Sequence, residues 1–257
     1  MASANPSLPP LDPATTTTPS DPPAAQPILV LGGFLIGAEA YAPLVERLEQ
    51  LSGQRVVLLP VSRLEWLLTV LPLGWARLLD RVATAAAELA AASPTGRITL
   101  VGHSSGGILL RLFLADGPFE GRCYSGRRIA DTLITLGSPH TALKATAMRT
   151  RVARELPGAY FRHDQQHPVR YVSVAGVINL DPNAGQASAT ARRLAPTAYR
   201  NSSGDAADRG DGLVPVGSAL LEGAEPVVLE GVAHGGAFGP QWYGTPAVLE
   251  RWWAALA

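Results

Sequence analysis

The residues Gly102-His103-Ser104-Ser105-Gly106 place a serine with glycine two positions away on each side. Ahead of them runs Ile98-Thr99-Leu100-Val101, apolar and β-branched. Behind them, Ile108-Leu109-Leu110-Arg111-Leu112-Phe113-Leu114 has helical character. A Gly-x-Ser-x-Gly turn between a strand and a helix is the setting of a nucleophile elbow, where a strained backbone lifts the central hydroxyl clear of the sheet. Glycine flanks such a serine because a Cβ would crowd the turn. The chemistry this permits is attack of Ser104 on a carbonyl carbon. A serine hydroxyl is a weak nucleophile until a base takes its proton, and that base needs a carboxylate to fix its tautomer and steady its cationic form. Without such partners the same residues are only a glycine-rich connection.

Five histidines could supply the base: His103, His140, His163, His167 and His234. Where an elbow of this kind occurs, the order along the chain is serine, acid, histidine. His103 adjoins the nucleophile and is turned away by the elbow. His163 and His167 lie in a polar, glutamine-containing stretch and read as solvated. His140 follows the strand end Thr135-Leu136-Gly137 and could line a substrate pocket. His234, in Gly231-Val232-Ala233-His234-Gly235-Gly236, stands late in the chain just past a strand, where the base belongs. For the acid, Asp211 lies in Gly210-Asp211-Gly212-Leu213-Val214-Pro215, between two glycines that suit a tight loop. Asp205 and Asp208 compete from a looser segment, and Asp181 is a weaker candidate. A tetrahedral oxyanion needs two preorganised N–H donors. Ser105, directly after the nucleophile, is one. The other is expected from Phe34, in the loop that opens with Gly32-Gly33, and the ring of Phe34 would wall the pocket beside Gly33 and Leu35.

The elements that must hold these residues alternate. Apolar runs at 27–31, 55–59, 98–101, 132–136, 169–176 and 226–229 read as strands. Helical patterns at 41–51, 77–92, 108–114 and 246–256, with a further one at 189–200, separate them. That alternation is the signature of an α/β fold with a parallel sheet, and continuous apolar strands of this kind are buried on both faces. The stretch from Thr141 to Gly158 has helical character, and Gly117 to Arg128 reads as a surface excursion. One segment stands apart. Leu64-Glu65-Trp66-Leu67-Leu68-Thr69-Val70-Leu71-Pro72-Leu73-Gly74-Trp75 carries two tryptophans and five leucines with a single charge. It is read as the start of a core helix, as a lid or acyl-chain wall with Trp66 in the pocket, since loops at the C-terminal edge of such sheets shape ligand sites, or as a surface for a partner.

Composition bounds the rest. The chain has 257 residues, 47% of them hydrophobic and 16% charged, with 21 basic and 21 acidic side chains. A net charge of zero gives no electrostatic footprint for nucleic acid. Cys123 is the only cysteine, which rules out an internal disulfide and a cysteine-rich metal site; it reads as a small packing residue. Residues 1–27, dense in Pro, Thr, Ser and Ala and without an aromatic side chain, are expected to be a disordered tail, leaving a single domain over 28–257. That tail has neither the basic start nor the apolar core of a secretory signal, and no apolar run is long enough to span a bilayer. A cytoplasmic location is expected, with transient contact at a membrane surface left open.

Taken together, Gly-His-Ser-Ser-Gly-Gly at 102–107, Thr-Leu-Gly-Ser-Pro-His at 135–140 and Gly-Asp-Gly-Leu-Val-Pro at 210–215 resemble the lipase and esterase branch of the α/β-hydrolases. Over 28–256, and in Gly-Phe-Leu-Ile-Gly-Ala and Leu-Glu-Gly-Val-Ala-His in particular, the chain is similar to uncharacterised lipase-like hydrolases of cyanobacteria and plant plastids. The resemblance implies the set Ser104, Asp211 and His234, ester hydrolysis through an acyl-enzyme, and neither metal nor organic cofactor. A small-molecule or lipid ester is the expected substrate. It also marks a departure: many lipases carry His-Gly before the oxyanion residue, and Gly32-Gly33 stands here instead. A thioesterase or acyltransferase on the same residues, and a non-catalytic binding protein on the same fold, are the alternatives.

Overall fold

The computed structural model describes residues 26–256, so the tail expected over 1–27 lies outside the described residues except for Gln26 and Pro27. Those two already belong to the ordered chain. Gln26 is buried, and its amide donates to Thr99 Oγ1 at 3.0 Å and Asp131 Oδ1 at 2.7 Å. The carbonyl of Pro27 accepts from the N–H of Thr99.

Six strands follow: β1 (Ile28–Leu31), β2 (Val56–Leu59), β3 (Ile98–His103), β4 (Ala130–Leu136), β5 (Arg170–Val177) and β6 (Glu225–Glu230). They form one sheet in the order β2-β1-β3-β4-β5-β6, and all five pairings are parallel. β1 and β3 are buried along their whole length, as the continuous apolar runs require when both faces of a sheet are covered. Alternation divides β1 between two cores. Leu29 and Leu31 face one side and Ile28 and Val30 the other.

Helices cover both sides. α1 (Ala42–Ser52) and α8 (Pro246–Ala254) deliver Leu44, Leu48, Val248, Leu249 and Trp252 to the core shared with Ile28 and Val30. On the opposite face lie α2 (Arg63–Leu68), α3 (Pro72–Ala92), α4 (Ser105–Leu114) and α5 (Ala147–Glu155), which bring Trp66, Trp75, Leu79, Leu109, Phe113 and Val152 against Leu29 and Leu31. Each such side chain withdrawn from water stabilises the fold by about 1.5–3 kcal/mol before its entropy of ordering is counted. α6 (Ala189–Ser203) and the single turn α7 (Val216–Ala219) lie between β5 and β6. The parallel sheet, the helices on both faces and the sharp turn after β3 make this an α/β-hydrolase fold.

Three local expectations change. α3 starts at Pro72 instead of residue 77, because a proline in the first turn has no N–H to lose and a φ already suited to a helix. α5 occupies only 147–155 of the stretch 141–158, with Thr146 capping it. Cys123 is exposed and not a packing residue.

One property of the topology places the site. From β1 the chain moves outward to β2 through α1, then returns across α3 to β3 on the other side of β1. Strand order reverses between β1 and β3. The loops leaving the C-terminal ends of two such strands diverge to opposite faces, and the crevice between them is where open α/β sheets bind ligands.

Candidate active site

Ser104 stands at this crevice, directly after β3. Its backbone has φ 53° and ψ −124°, a region that a residue with a Cβ enters at a cost of about 1–3 kcal/mol. The surroundings enforce it. The N–H of Ser104 donates to the carbonyl of Leu136 at 2.9 Å, and α4 begins at the next residue. A Cβ on Gly106 would lie 2.4 Å from the carbonyl oxygen of Leu31, and one on Gly102 would lie 2.4 Å from Cα of Gly107. Both glycines are therefore needed for β1, β3 and α4 to close together under the serine.

His234 follows β6 by four residues and brings Nε2 to 3.0 Å from Ser104 Oγ. Its Nδ1 lies 2.8 Å from Asp211 Oδ2. A carboxylate can only accept, so Nδ1 carries the ring proton and Nε2 is left to accept from the serine hydroxyl. All three residues are buried. The backbone ties the acid and base loops together as well, since the N–H of His234 donates to the carbonyl of Asp211 at 2.8 Å.

Asp211 lies in the loop that closes between Gly210 and Pro215. Its carboxylate is fully enclosed and fully engaged. Oδ1 accepts from the N–H groups of Leu213 at 3.0 Å and Val214 at 2.7 Å, and Oδ2 accepts from His234 and from the Tyr243 hydroxyl at 2.9 Å. Four donors offset the loss of water around the charge. Burial and the nearby Asp211 carboxylate raise the Tyr243 phenol well above its ordinary value, so it stays protonated and donating. The Tyr243 oxygen also accepts from the N–H of Gly176, which fixes it to β5.

The loop after β1 supplies the opposite wall. Leu35 has φ 61°, and the N–H of Ile36 closes back on the carbonyl of Gly33. The N–H of Gly33 is committed to the Tyr41 hydroxyl. Among the described residues the N–H groups of Phe34 and Ser105 have no partner, which leaves them free to receive a developing negative charge. Phe34 and Leu35 are half-exposed, and the Phe34 ring packs edge-on against Trp66 with centroids 6.2 Å apart. Trp66 itself is buried in the core. The expected core residue and the expected pocket residue are thus the same side chain, in the core yet touching the loop at the site.

His140 has partners of its own on β4 and α4. Its Nε2 lies 3.1 Å from Thr135 Oγ1 and its Nδ1 lies 3.3 Å from Arg111 of α4. Burial, and then Arg111, hold its imidazole well below the ordinary value and therefore neutral. Asp205 and Asp208 cap their own loop N–H groups, and Asp181 caps Asn183. Among the described residues no group of three or more His, Cys, Asp or Glu side chains is placed to hold a metal ion, and no helix is long and apolar enough to cross a membrane.

The residues that sequence reasoning missed are Tyr41, Tyr243 and the role of His103. None carries a spacing signal. Tyr243 meets Asp211 across 32 residues and Tyr41 meets His103 across 62.

Compared with known proteins, the chain matches no family model and no curated protein. Solved structures align with it at low identity. Est1E from Butyrivibrio proteoclasticus, solved with ferulic acid bound, aligns over 90% of this chain and 86% of its own at 15% identity and a TM-score of 0.49. A Xanthomonas campestris protein of the alpha/beta superfamily of hydrolases aligns over 80% of this chain and 86% of its own, at 13% identity and a TM-score of 0.43. An acetylxylan esterase aligns over 46% of this chain at 16% identity and a TM-score of 0.34, and there the chain spans 64% of the other's length.

Proposed function

We propose that this protein is a serine hydrolase that cleaves carboxylic esters, those of acyl lipids in particular. The observation that carries this reading is the unbroken line from Ser104 Oγ through His234 to Asp211, with bonds of 3.0 and 2.8 Å. Ser104 attacks the ester carbonyl as His234 Nε2 takes its proton, and Asp211 steadies the imidazolium that results. The N–H groups of Phe34 and Ser105 receive the oxyanion. The tetrahedral adduct collapses when His234 returns the proton to the leaving alkoxide. Water then attacks the acyl-enzyme with His234 again as base, and the proton passes back to Ser104. No step calls for a metal or an organic cofactor.

The acyl-lipid part of the reading is supported by the surface beside the site. Leu64, Leu67, Leu68, Val70, Leu71 and Leu73 are all exposed, as are Phe34 and Leu35 in the loop that touches Trp66. A monomer seldom shows so many large apolar side chains in one short stretch unless something apolar meets them. Arg63 and Arg77, both exposed, flank the segment and suit an anionic headgroup layer. In this reading Gly33, Leu35 and Trp66 shape the acyl-side wall. His140, engaged at both ring nitrogens, steadies the elbow helix through Arg111.

The test is labelling with a fluorophosphonate probe, comparing the wild-type protein with Ser104→Ala. Labelling of the wild type that vanishes in the variant is expected, together with turnover of p-nitrophenyl esters. A well-folded wild type that neither labels nor turns over any ester of graded chain length would overturn the reading.

A further inference from the structure

Tyr41 and His103 take no part in the line from Ser104 to Asp211, yet they touch both loops on which it depends. Tyr41, at the end of a short helical turn after the Gly32–Ile36 loop, is buried. Its hydroxyl oxygen accepts from the N–H of Gly33 at 2.7 Å and lies 2.7 Å from His103 Nδ1. On the other edge of that ring, His103 Nε2 lies 2.8 Å from the carbonyl oxygen of His234. A carbonyl only accepts, so Nε2 carries the ring proton. Burial, and then the neighbouring His234, hold the His103 imidazole well below its ordinary value, so the ring is neutral and Nδ1 accepts from the tyrosine. The direction of every bond follows. Gly33 donates to Tyr41, Tyr41 donates to His103, and His103 donates to the backbone of His234.

This sequence of bonds joins the loop that carries one oxyanion donor to the loop that carries the base, and it passes through the residue next to the nucleophile. Such a series polarises itself, each donor strengthening the next, and in a dry interior no member can be lost cheaply. It also decides which peptide of the first loop can serve the site. With its N–H held by Tyr41, Gly33 is unavailable, and the next N–H in the chain is that of Phe34. Gly32-Gly33 has no histidine ahead of it to brace the loop, and the Tyr41 hydroxyl braces it from behind.

On the reading of the site as a serine hydrolase, we propose that Tyr41 and His103 are positioning residues that hold the oxyanion loop and the base loop in register. Their contribution is made in the transition state, where the N–H of Phe34 and Nε2 of His234 must serve one carbonyl together. A brace of this kind affects turnover more than substrate binding.

The experiment uses Tyr41→Phe, which removes one hydroxyl and keeps the ring, measured with p-nitrophenyl esters and with a trifluoromethyl ketone, whose adduct resembles the tetrahedral state. The expected result is a kcat lower by about ten- to a hundredfold, below the loss from deleting an oxyanion donor outright. KM should stay within about twofold, and inhibitor affinity should fall by the same factor as kcat. His103→Gln keeps an N–H near Nε2 and loses the acceptor at Nδ1, whereas His103→Asn does the reverse. If the bonds act in series, Tyr41→Phe combined with His103→Gln loses no more than the worse single variant. Should Tyr41→Phe fail to fold, His103→Gln carries the same comparison. An active wild type whose Tyr41→Phe and His103→Gln variants keep kcat and inhibitor affinity, or lose only KM, overturns the positioning role alone. An inert wild type overturns the hydrolase reading, and this inference with it.

Discussion

At the scale of single residues, Asp211 shows how much of the proposed chemistry depends on direction rather than proximity. An asparagine at this position would fit the same space, but its amide N–H would face His234 Nδ1 where a carboxylate oxygen now accepts. The ring would then place its proton on Nε2, the atom that must receive the proton of Ser104. Asp211→Asn is expected to lower kcat on the order of ten-thousandfold with a modest fall in melting temperature, because its remaining oxygen can still accept from Leu213 and Val214 while the Tyr243 hydroxyl loses its acceptor. Steady-state kinetics beside a thermal melt check this, and a loss of less than about tenfold would remove the orienting role. Tyr243→Phe takes away one of four donors to the same carboxylate. A milder loss of about tenfold in kcat is expected, read by steady-state kinetics beside the same thermal melt. That Ser104, Asp211 and His234 meet could be anticipated from the chain, because a nucleophile, an acid and a base on such a fold are expected in a fixed order. The tyrosines could not, since a phenol can reach a buried carboxylate from any element that packs nearby.

At the scale of elements, the apolar patterns located the strands well, since a strand covered on both faces is mostly apolar and keeps only a few hydrogen-bonded polar residues such as Thr99 and Thr135. Helix starts were read less well. Pro72 looked like an interruption and is the first turn of α3. The segment from Leu64 to Trp75 shows why a pattern can leave two readings open. Trp66 and Trp75 face the core while Leu64, Val70 and Leu71 are 68%, 72% and 60% exposed, so one short stretch both packs in the core and presents an apolar surface. Composition counts leucines without saying which way they turn. Replacing Leu64, Leu67 and Leu71 together with serine removes apolar surface and creates no cavity. Binding to vesicles containing an anionic phospholipid is expected to weaken by at least about tenfold, given about 1.5–3 kcal/mol for each leucine fully withdrawn from water. Hydrolysis of long-chain esters should fall further than that of acetate esters. Equal loss on both, with vesicle binding unchanged, would count against a lipid-facing role.

At the scale of the whole molecule, two buried imidazoles tie stability to pH. His103 and His140 are both held neutral, well below the ordinary imidazole value of 6.5, chiefly by burial. The folded chain therefore refuses protons that the unfolded chain takes up. Their stabilisation of the fold is complete above pH 6.5 and is lost as the pH falls below it. Each contributes a slope approaching about 1.4 kcal/mol per pH unit. Chemical denaturation at pH 7.5, 6 and 5 is expected to show a steep decline, shallower in His140→Gln, and a flat profile would contradict the burial of neutral rings.

The order in which the sheet is threaded has a consequence in time as well as in space. Ser104 directly follows the third strand, while Asp211 and His234 follow the fifth and the sixth. Because every pairing is parallel, no strand finds its neighbour through a tight hairpin; each must wait for the crossover between them. A nascent chain that has emerged only as far as α5 already holds Ser104, the proposed nucleophile, but neither Asp211 nor His234. Any reactivity of the proposed site therefore arrives late and all at once, with the closing of the last strand, and a chain that stalls or is cut before residue 211 is expected to carry an inert serine.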